Sequence, residues 1–322
     1  MATLTAAQQI YYQRPISKGQ RIWMNFKKHW RLHLMFAPAS LYYILFEVLP
    51  LYGLQVAFRE YDARAGIMNS TWLGLANFFE FFQYPKWQMV TMNTLNISLY
   101  SITVGFPVPI ILALILHINE RKVLKKLTQN ISYIPHFIST VVLVGLVNQI
   151  LHPISGLVGV FCRTIGIDFN VNLIAEESAF IHIYIWSGIW ASMGWSTIMY
   201  VAALSGVSHE LHEAAKIDGA SRLRRVFSVD LPAIMPTITI MLIMRMGGIM
   251  SVGHEKVFLM QNHLNIDKSE VIATFVYRHG LASGRSSYAS SVGLMNSVLN
   301  SGMLILVNKI ANWMTDGEQG LF

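Results

Sequence analysis

Arg245 is the residue whose type and place carry the most chemistry. It stands inside an apolar run, residues 233–252, where a guanidinium costs about 2.5–3.5 kcal/mol on insertion scales. A charge kept at that cost faces a cavity or a partner acid. Two readings therefore stand side by side. Arg245 is a cavity-facing cation suited to an acidic ligand, or it forms a structural ion pair with Glu47, an acid inside the first apolar run. Asn296 and Asn300 are spaced i, i+4 in the last apolar run and share one helix face. With Ser297 they have the donors and acceptors to hold the hydroxyls of a ligand. Hydrogen bonds between membrane helices, worth about 1 kcal/mol, are the commoner use of asparagine there and the preferred reading. Asn93 and Asn96 of an earlier apolar run call for the same caution.

Covalent chemistry and cofactors find little support. No Walker A pattern occurs, so nucleotide binding through one is excluded. His209-Glu210-Leu211-His212-Glu213 resembles a zinc motif but has the wrong spacing. A zincin needs histidines at i and i+4, and here i+4 from His209 is Glu213. The single cysteine, Cys162, permits no internal disulfide. A serine intramembrane protease would need a membrane-depth Ser–His pair. Ser187 or Ser196 with His182 is the nearest, in unremarkable flanks. Neither a catalytic residue, nor a cofactor, nor a metal is expected.

The elements that must position these residues are membrane helices. The 322 residues are 53% hydrophobic and 13% charged, with a mean hydropathy of +0.44. A soluble chain has about a quarter charged residues. Runs near the roughly 20 residues that cross a bilayer fall at about 34–58, 93–118, 131–151, 179–204, 233–252 and 289–310. Residues 1–33 carry six basic residues, from Arg14 to Arg31, and Trp23, Phe26 and Trp30 on one face. This reads as an amphipathic segment on the cytoplasmic membrane surface, with no secretory leader. Residues 34–310 make the six-helix domain, and 311–322 a cytoplasmic tail. With the N-terminus inside, basic residues are in excess in the inner segments. The net charge of +7 is thus assigned to positive-inside loops rather than to nucleic acid. Basic outer residues, Lys256, Lys268, Arg278 and Arg285, could favour an anionic substrate, a protein partner or lipid headgroups.

The inner loop 207–232 is polar between two apolar runs. Ser208 is placed to cap a short helix reaching Ile217, with Glu210 and Glu213 in its opening turns. Asp218-Gly219 is a turn signal. Ser221 is placed to cap a second helix, 222–229, and Pro232 suits the first turn of the next. Glu213-Ala214-Ala215, three residues, Gly219, nine residues and Val229-Asp230-Leu231-Pro232 resemble the EAA loop of type I ABC importer permeases. Residues 49–58, 130–147, 187–206 and 291–300 extend the resemblance to nearly all of the chain from about residue 30. They are similar to the branch that takes up oligosaccharides and polysaccharide fragments, like the larger permease of the maltose transporter.

That resemblance implies an all-α, MetI-like fold with six transmembrane helices in a bacterial inner membrane, both termini cytoplasmic. It implies a second permease of similar fold, two ATP-binding cassette subunits and an extracytoplasmic solute-binding protein as partners. Glu213, Ala214, Ala215, Asp218, Gly219, Leu231 and Pro232 take the role of ATPase coupling, and the small alanines let a helix lie close to a partner surface. The chain is then a transport subunit rather than an enzyme, contacting lipid and no nucleic acid. Arg245, Asn296, Asn300 and Glu47 are its expected substrate path. Arg245 and the basic outer residues tilt the substrate toward an acidic, uronate oligosaccharide of alginate or pectin type, with neutral sugars as the alternative. A secondary transporter is the rival class. It should show inverted repeats and paired broken helices, and inspection of the sequence shows neither.

Overall fold

The computed structural model describes residues 17–119 and 121–314. The first sixteen residues of the basic N-terminal segment, Arg14 included, and residues 315–322 of the tail lie outside the described residues. The chain divides into two units, residues 1–55 and 56–322.

In the first unit, α1 (Lys18–Lys28) opens on a reciprocal cap. Ser17 Oγ accepts from the Gln20 amide, and Gln20 Oε1 accepts from the Ser17 amide. Trp23 and Phe26 stack on one exposed face, with Lys27 over the Trp23 ring, as an amphipathic surface helix requires. α2 (Trp30–Tyr43) passes into a π turn, Ile44–Val48, and a 3-10 stretch, Leu49–Phe58. Pro50 explains the change of winding, because proline lacks an N–H and its ring crowds the carbonyl four residues back. The same device recurs. π turns at Ser101–Gly105 and Val226–Asp230 also end two residues before a proline, Pro107 and Pro232.

The second unit is helical apart from a short antiparallel pair, β1 (Arg59–Glu60) with β2 (Thr71–Trp72). Its principal helices are α3 (Ala76–Gln83), α4 (Trp87–Tyr100), α5 (Pro107–Ile118), α6 (Lys122–Tyr133) and α7 (Thr140–Leu151). After α8 (Leu157–Thr164) comes the long α9 (Glu177–Ser205). α10 (His209–Ile217) and α11 (Arg222–Arg225) form the polar loop. α12 (Leu231–Met246), α13 (His254–Met260), α14 (Ile272–Val276) and α15 (Ser286–Met314) complete the unit. Helix α9 is its spine. One core cluster joins Tyr200 and Leu204 of α9 to Ile110 and Ala113 of α5 and Ile234 of α12. A second joins Phe180, Ile185 and Ile189 of α9 to Ile97 of α4, Val144 of α7 and Val257 of α13. A third gathers Phe81, Val90, Phe275, Tyr288 and Val292.

The expected six spans are not confirmed. Among the described residues, four helices are long and apolar enough to cross: Trp30–Phe58, Trp87–Ile118, Arg222–Met246 and Ser286–Trp313. A fifth crossing arises if Lys122–Phe137 and Thr140–Leu151 act together, but they meet at 105°. The expected third span, 131–151, therefore contains a sharp break. Pro135 sits in a 3-10 turn there, and Ser139 starts afresh by capping α7 through its Oγ and the Val142 amide. The expected fourth span is α9, whose 29 residues are long enough. Its serines, glycines, tryptophans and tyrosines keep its hydropathy down, and it is not among the four. The glycines of α9 serve close packing within the chain. A Cβ on Gly194 would lie 2.0 Å from the Ser132 carbonyl oxygen, so α9 and the end of α6 touch backbone to side-chain-free backbone. Gly188 faces the Lys256 Nζ of the same chain.

Candidate functional site

The polar inner loop folds as its caps dictate. Ser208 Oγ accepts from the Glu210 amide, and Ser221 Oγ accepts from the Arg224 amide. Gly219 turns the chain at φ +74°, in the left-handed region that costs other residues most. The second helix is shorter than the sequence suggests. Regular winding ends at Arg225, and the π turn before Pro232 takes over Val226–Asp230. No residue of α10 is buried. Glu213, Ala214, Asp218 and Gly219 are exposed, and Ala215 is half-buried. The side chain of Ile217 is 87% exposed, and Leu211, Leu223 and Phe227 are also out. A polar loop with apolar residues held outward and small residues between them is built to receive a surface. Leu231 and Pro232 lie behind it in the first turn of α12.

Beneath α10, the fold joins three groups that are far apart in sequence. His212 Nε2 lies 3.1 Å from Asp230 Oδ1, and His117 Nε2, from the last turn of α5, lies 3.4 Å from the same oxygen. Sequence spacing assigns no metal to the His209–Glu213 stretch; His209 borders the same cavity but lies beside Glu213, at 3.8 Å. His212 finds its companions from two other elements. Local spacing could not reveal this, because the partners lie 95 residues upstream and 18 downstream.

The second feature is a cavity of about 440 Å³ lined by Ser98 and Ser101 of the α4 segment, Tyr184 of α9, and Arg245, Gly248 and Ser251 beyond them. Arg245 also borders a neighbouring cavity of about 300 Å³ between α5, α9 and α12. Its guanidinium is exposed and donates to Ser101 Oγ at 2.8 Å. Among the described residues of the 56–314 unit, no carboxylate pairs with it. Glu47 belongs to the first unit and is exposed there. Asn296 and Asn300 bind the backbone beside this cavity. Asn300 Oδ1 accepts from the Met250 amide at 2.8 Å, its Nδ2 donates to Ser251 Oγ at 2.8 Å, and Asn296 Nδ2 donates to the Met250 carbonyl at 3.2 Å. α12 stops at Met246, and these asparagines hold the turn that follows it, at Met250 and Ser251. Asn93 does the same for the segment before α14, donating to the carbonyls of Asp267 and Glu270.

The basic residues expected on the outer side largely lose their freedom. Lys86 meets Asp267 at 2.7 Å, Arg285 meets Glu80 at 2.7 Å, and Arg278 meets Glu270 at 3.3 Å. Lys256 donates to the Tyr184 carbonyl oxygen and lies over that ring. Burial pushes its amine down to about 8. These charges are spent on joining the outer segments, so the anionic attraction that the sequence suggests for them falls chiefly to Arg245 and to Lys268, which is exposed.

Comparison with known proteins places this geometry. Residues 105–253 match the family described as binding-protein-dependent transport system inner membrane component. The chain is 36% identical over 305 residues to the polygalacturonan/rhamnogalacturonan transport system permease protein YteP of Bacillus subtilis (strain 168), covering 95% of this chain and 94% of that one. It is 34% identical to Protein LplB of the same organism, covering 90% and 91%. Among solved structures, a chain of a bacterial alginate ABC transporter, in complex with an alginate pentasaccharide-bound periplasmic protein, superposes with a TM-score of 0.85. It shares 34% identity, covering 94% of this chain and all of that one.

Proposed function

Because this chain belongs to the family of binding-protein-dependent transport system inner membrane components, we propose that it is the permease subunit of an ATP-driven importer of acidic oligosaccharides. The observation that carries the acidic substrate is Arg245, a cation on the wall of two cavities without a carboxylate of its own unit to neutralise it. A uronate carboxylate supplies what that guanidinium lacks, by a charge-assisted hydrogen bond. The relatives agree in kind, since one is a permease for polygalacturonan and rhamnogalacturonan and another belongs to an alginate transporter.

The working complex is this chain, a second permease of similar fold, two ATPase subunits and a solute-binding protein outside. Both termini and the 207–232 loop lie on the cytoplasmic side, and residues 34–310 form the membrane domain. The loaded binding protein docks on the outer segments 59–89 and 253–288. ATP closes the ATPase pair, and α10 with its Glu213-Ala214-Ala215 and the Gly219 turn transmits that closure to α12 through Leu231 and Pro232. The two permeases then rock outward, and the sugar enters past Arg245. Asn296 and Asn300 hold the end of α12 in shape beside the path. The chain makes and breaks no bond; it is one arm of a two-state equilibrium that ATP on a partner biases.

Uptake by the reconstituted complex tests this reading, with polygalacturonate, alginate and neutral oligosaccharides compared. Acidic fragments are expected to be taken up, and Arg245→Ala to lower their uptake at least about tenfold, the worth of one charge-assisted hydrogen bond of about 1.5–3 kcal/mol. Uptake of neutral sugars alone, or acidic uptake indifferent to Arg245→Ala, would refute the role of that charge.

A further inference from the structure

The geometry points to a transition-metal site, of the zinc class, formed by His117, His212 and Asp230 where the inner loop meets the membrane helices. The three ligand atoms lie within 4.8 Å of one another. The two measured edges, 3.1 and 3.4 Å, match the roughly 3.4 Å edge of a tetrahedron whose metal–ligand bonds are about 2.0–2.2 Å. The alternative is a plain imidazole–carboxylate hydrogen bond, and the geometry does not favour it. Asp230 Oδ1 and His212 Nε2 are sealed from solvent, yet neither holds a hydrogen bond among the described residues. They are within reach in distance but misaligned, as donors aimed at a shared point between them would be. Asp230 is 2% exposed, and a buried carboxylate oxygen without a hydrogen bond is costly.

Two imidazoles and a carboxylate leave one tetrahedral position open. The three residues line a cavity of about 290 Å³ that Lys216, Arg222 and Arg225 also border. Their charge opposes a bare dication and favours an anion as the fourth ligand. A metal here would tie α10, through His212, to the ends of α5 and of the π turn before α12, so that the loop and the membrane helices move as one body.

The test uses the full-length chain in lipid nanodiscs, purified through a tag without histidines, stripped with chelator and titrated separately with Zn²⁺ and Co²⁺. One equivalent of Zn²⁺ is expected to bind, and Co²⁺ to give the intense visible absorption of a four-coordinate site. His117→Gln and His212→Gln, at partly exposed side chains, should each weaken Zn²⁺ binding at least about tenfold, since even outer-shell changes cost 10–100-fold. Asp230→Asn should do likewise, but the histidine variants decide if it folds poorly. His209→Gln, at a ring that lies beside Glu213 on the rim of the same cavity, should leave binding unchanged. Absence of stoichiometric metal, binding that survives His212→Gln, or saturable binding of inorganic phosphate without metal uptake would overturn the site.

Discussion

At the scale of single residues, burial decides more than residue type. Lys256 and Arg245 are both cations near Tyr184, yet one is tucked against a carbonyl oxygen and the other lines open space. Lys256 carries a pH signature. Its amine titrates at about 8 in the folded chain against 10.5 ordinarily, so the unfolded chain holds the extra proton between those values. The resulting stabilisation is full above 10.5 and is lost as pH falls through 8. Thermal unfolding in detergent should therefore shift to higher temperature from pH 7.5 to 9.5, and Lys256→Met should remove that increment. A slope identical in both would put the lysine in water. The sequence shows that 256 is basic; its carbonyl partner, 72 residues away, is visible only in the fold. Arg245 was legible because it breaks an apolar run, whereas the His117–His212–Asp230 cluster was not, because its members are each ordinary in their own segments.

At the scale of elements, caps and prolines were legible and bends were not. Ser208, Gly219, Ser221 and Pro232 mark their helix ends in the sequence and do so in the structure. The second loop helix was overread by four residues, because a π turn keeps a helical pattern while changing its bonding. The break at Ile138–Ser139 escaped notice for a similar reason: hydropathy runs straight through it, and only the 3-10 turn at Pro135 and the fresh cap redirect the chain. The close meeting of α9 and α6 gives a test of this packing. Gly194→Val should destabilise the folded chain by about 2 kcal/mol or more, since overpacking costs about 1–3 kcal/mol even where neighbours can shift, and here the neighbour is backbone. The readout is the yield and melting temperature of the detergent-purified protein. Wild-type stability would show that α9 stands farther from α6.

At the scale of the whole molecule, segments 59–89 and 253–288 are braced by ion pairs and a packed cluster around Phe275, while the 207–232 loop leaves apolar side chains exposed. The fold class was legible from hydropathy and the loop motif. The span count was not, because α9 compromises its apolar character and the third run bends. The central claim is that this chain turns ATP hydrolysis on a partner into sugar passage through the Gly219 turn. Its most direct test is paired ATPase and uptake rates of the reconstituted complex with loaded binding protein, for wild type and Gly219→Pro. Proline cannot adopt φ +74°, so the account predicts that the variant assembles but that ATP hydrolysis no longer drives uptake. Wild-type coupling between the two rates in Gly219→Pro would contradict it.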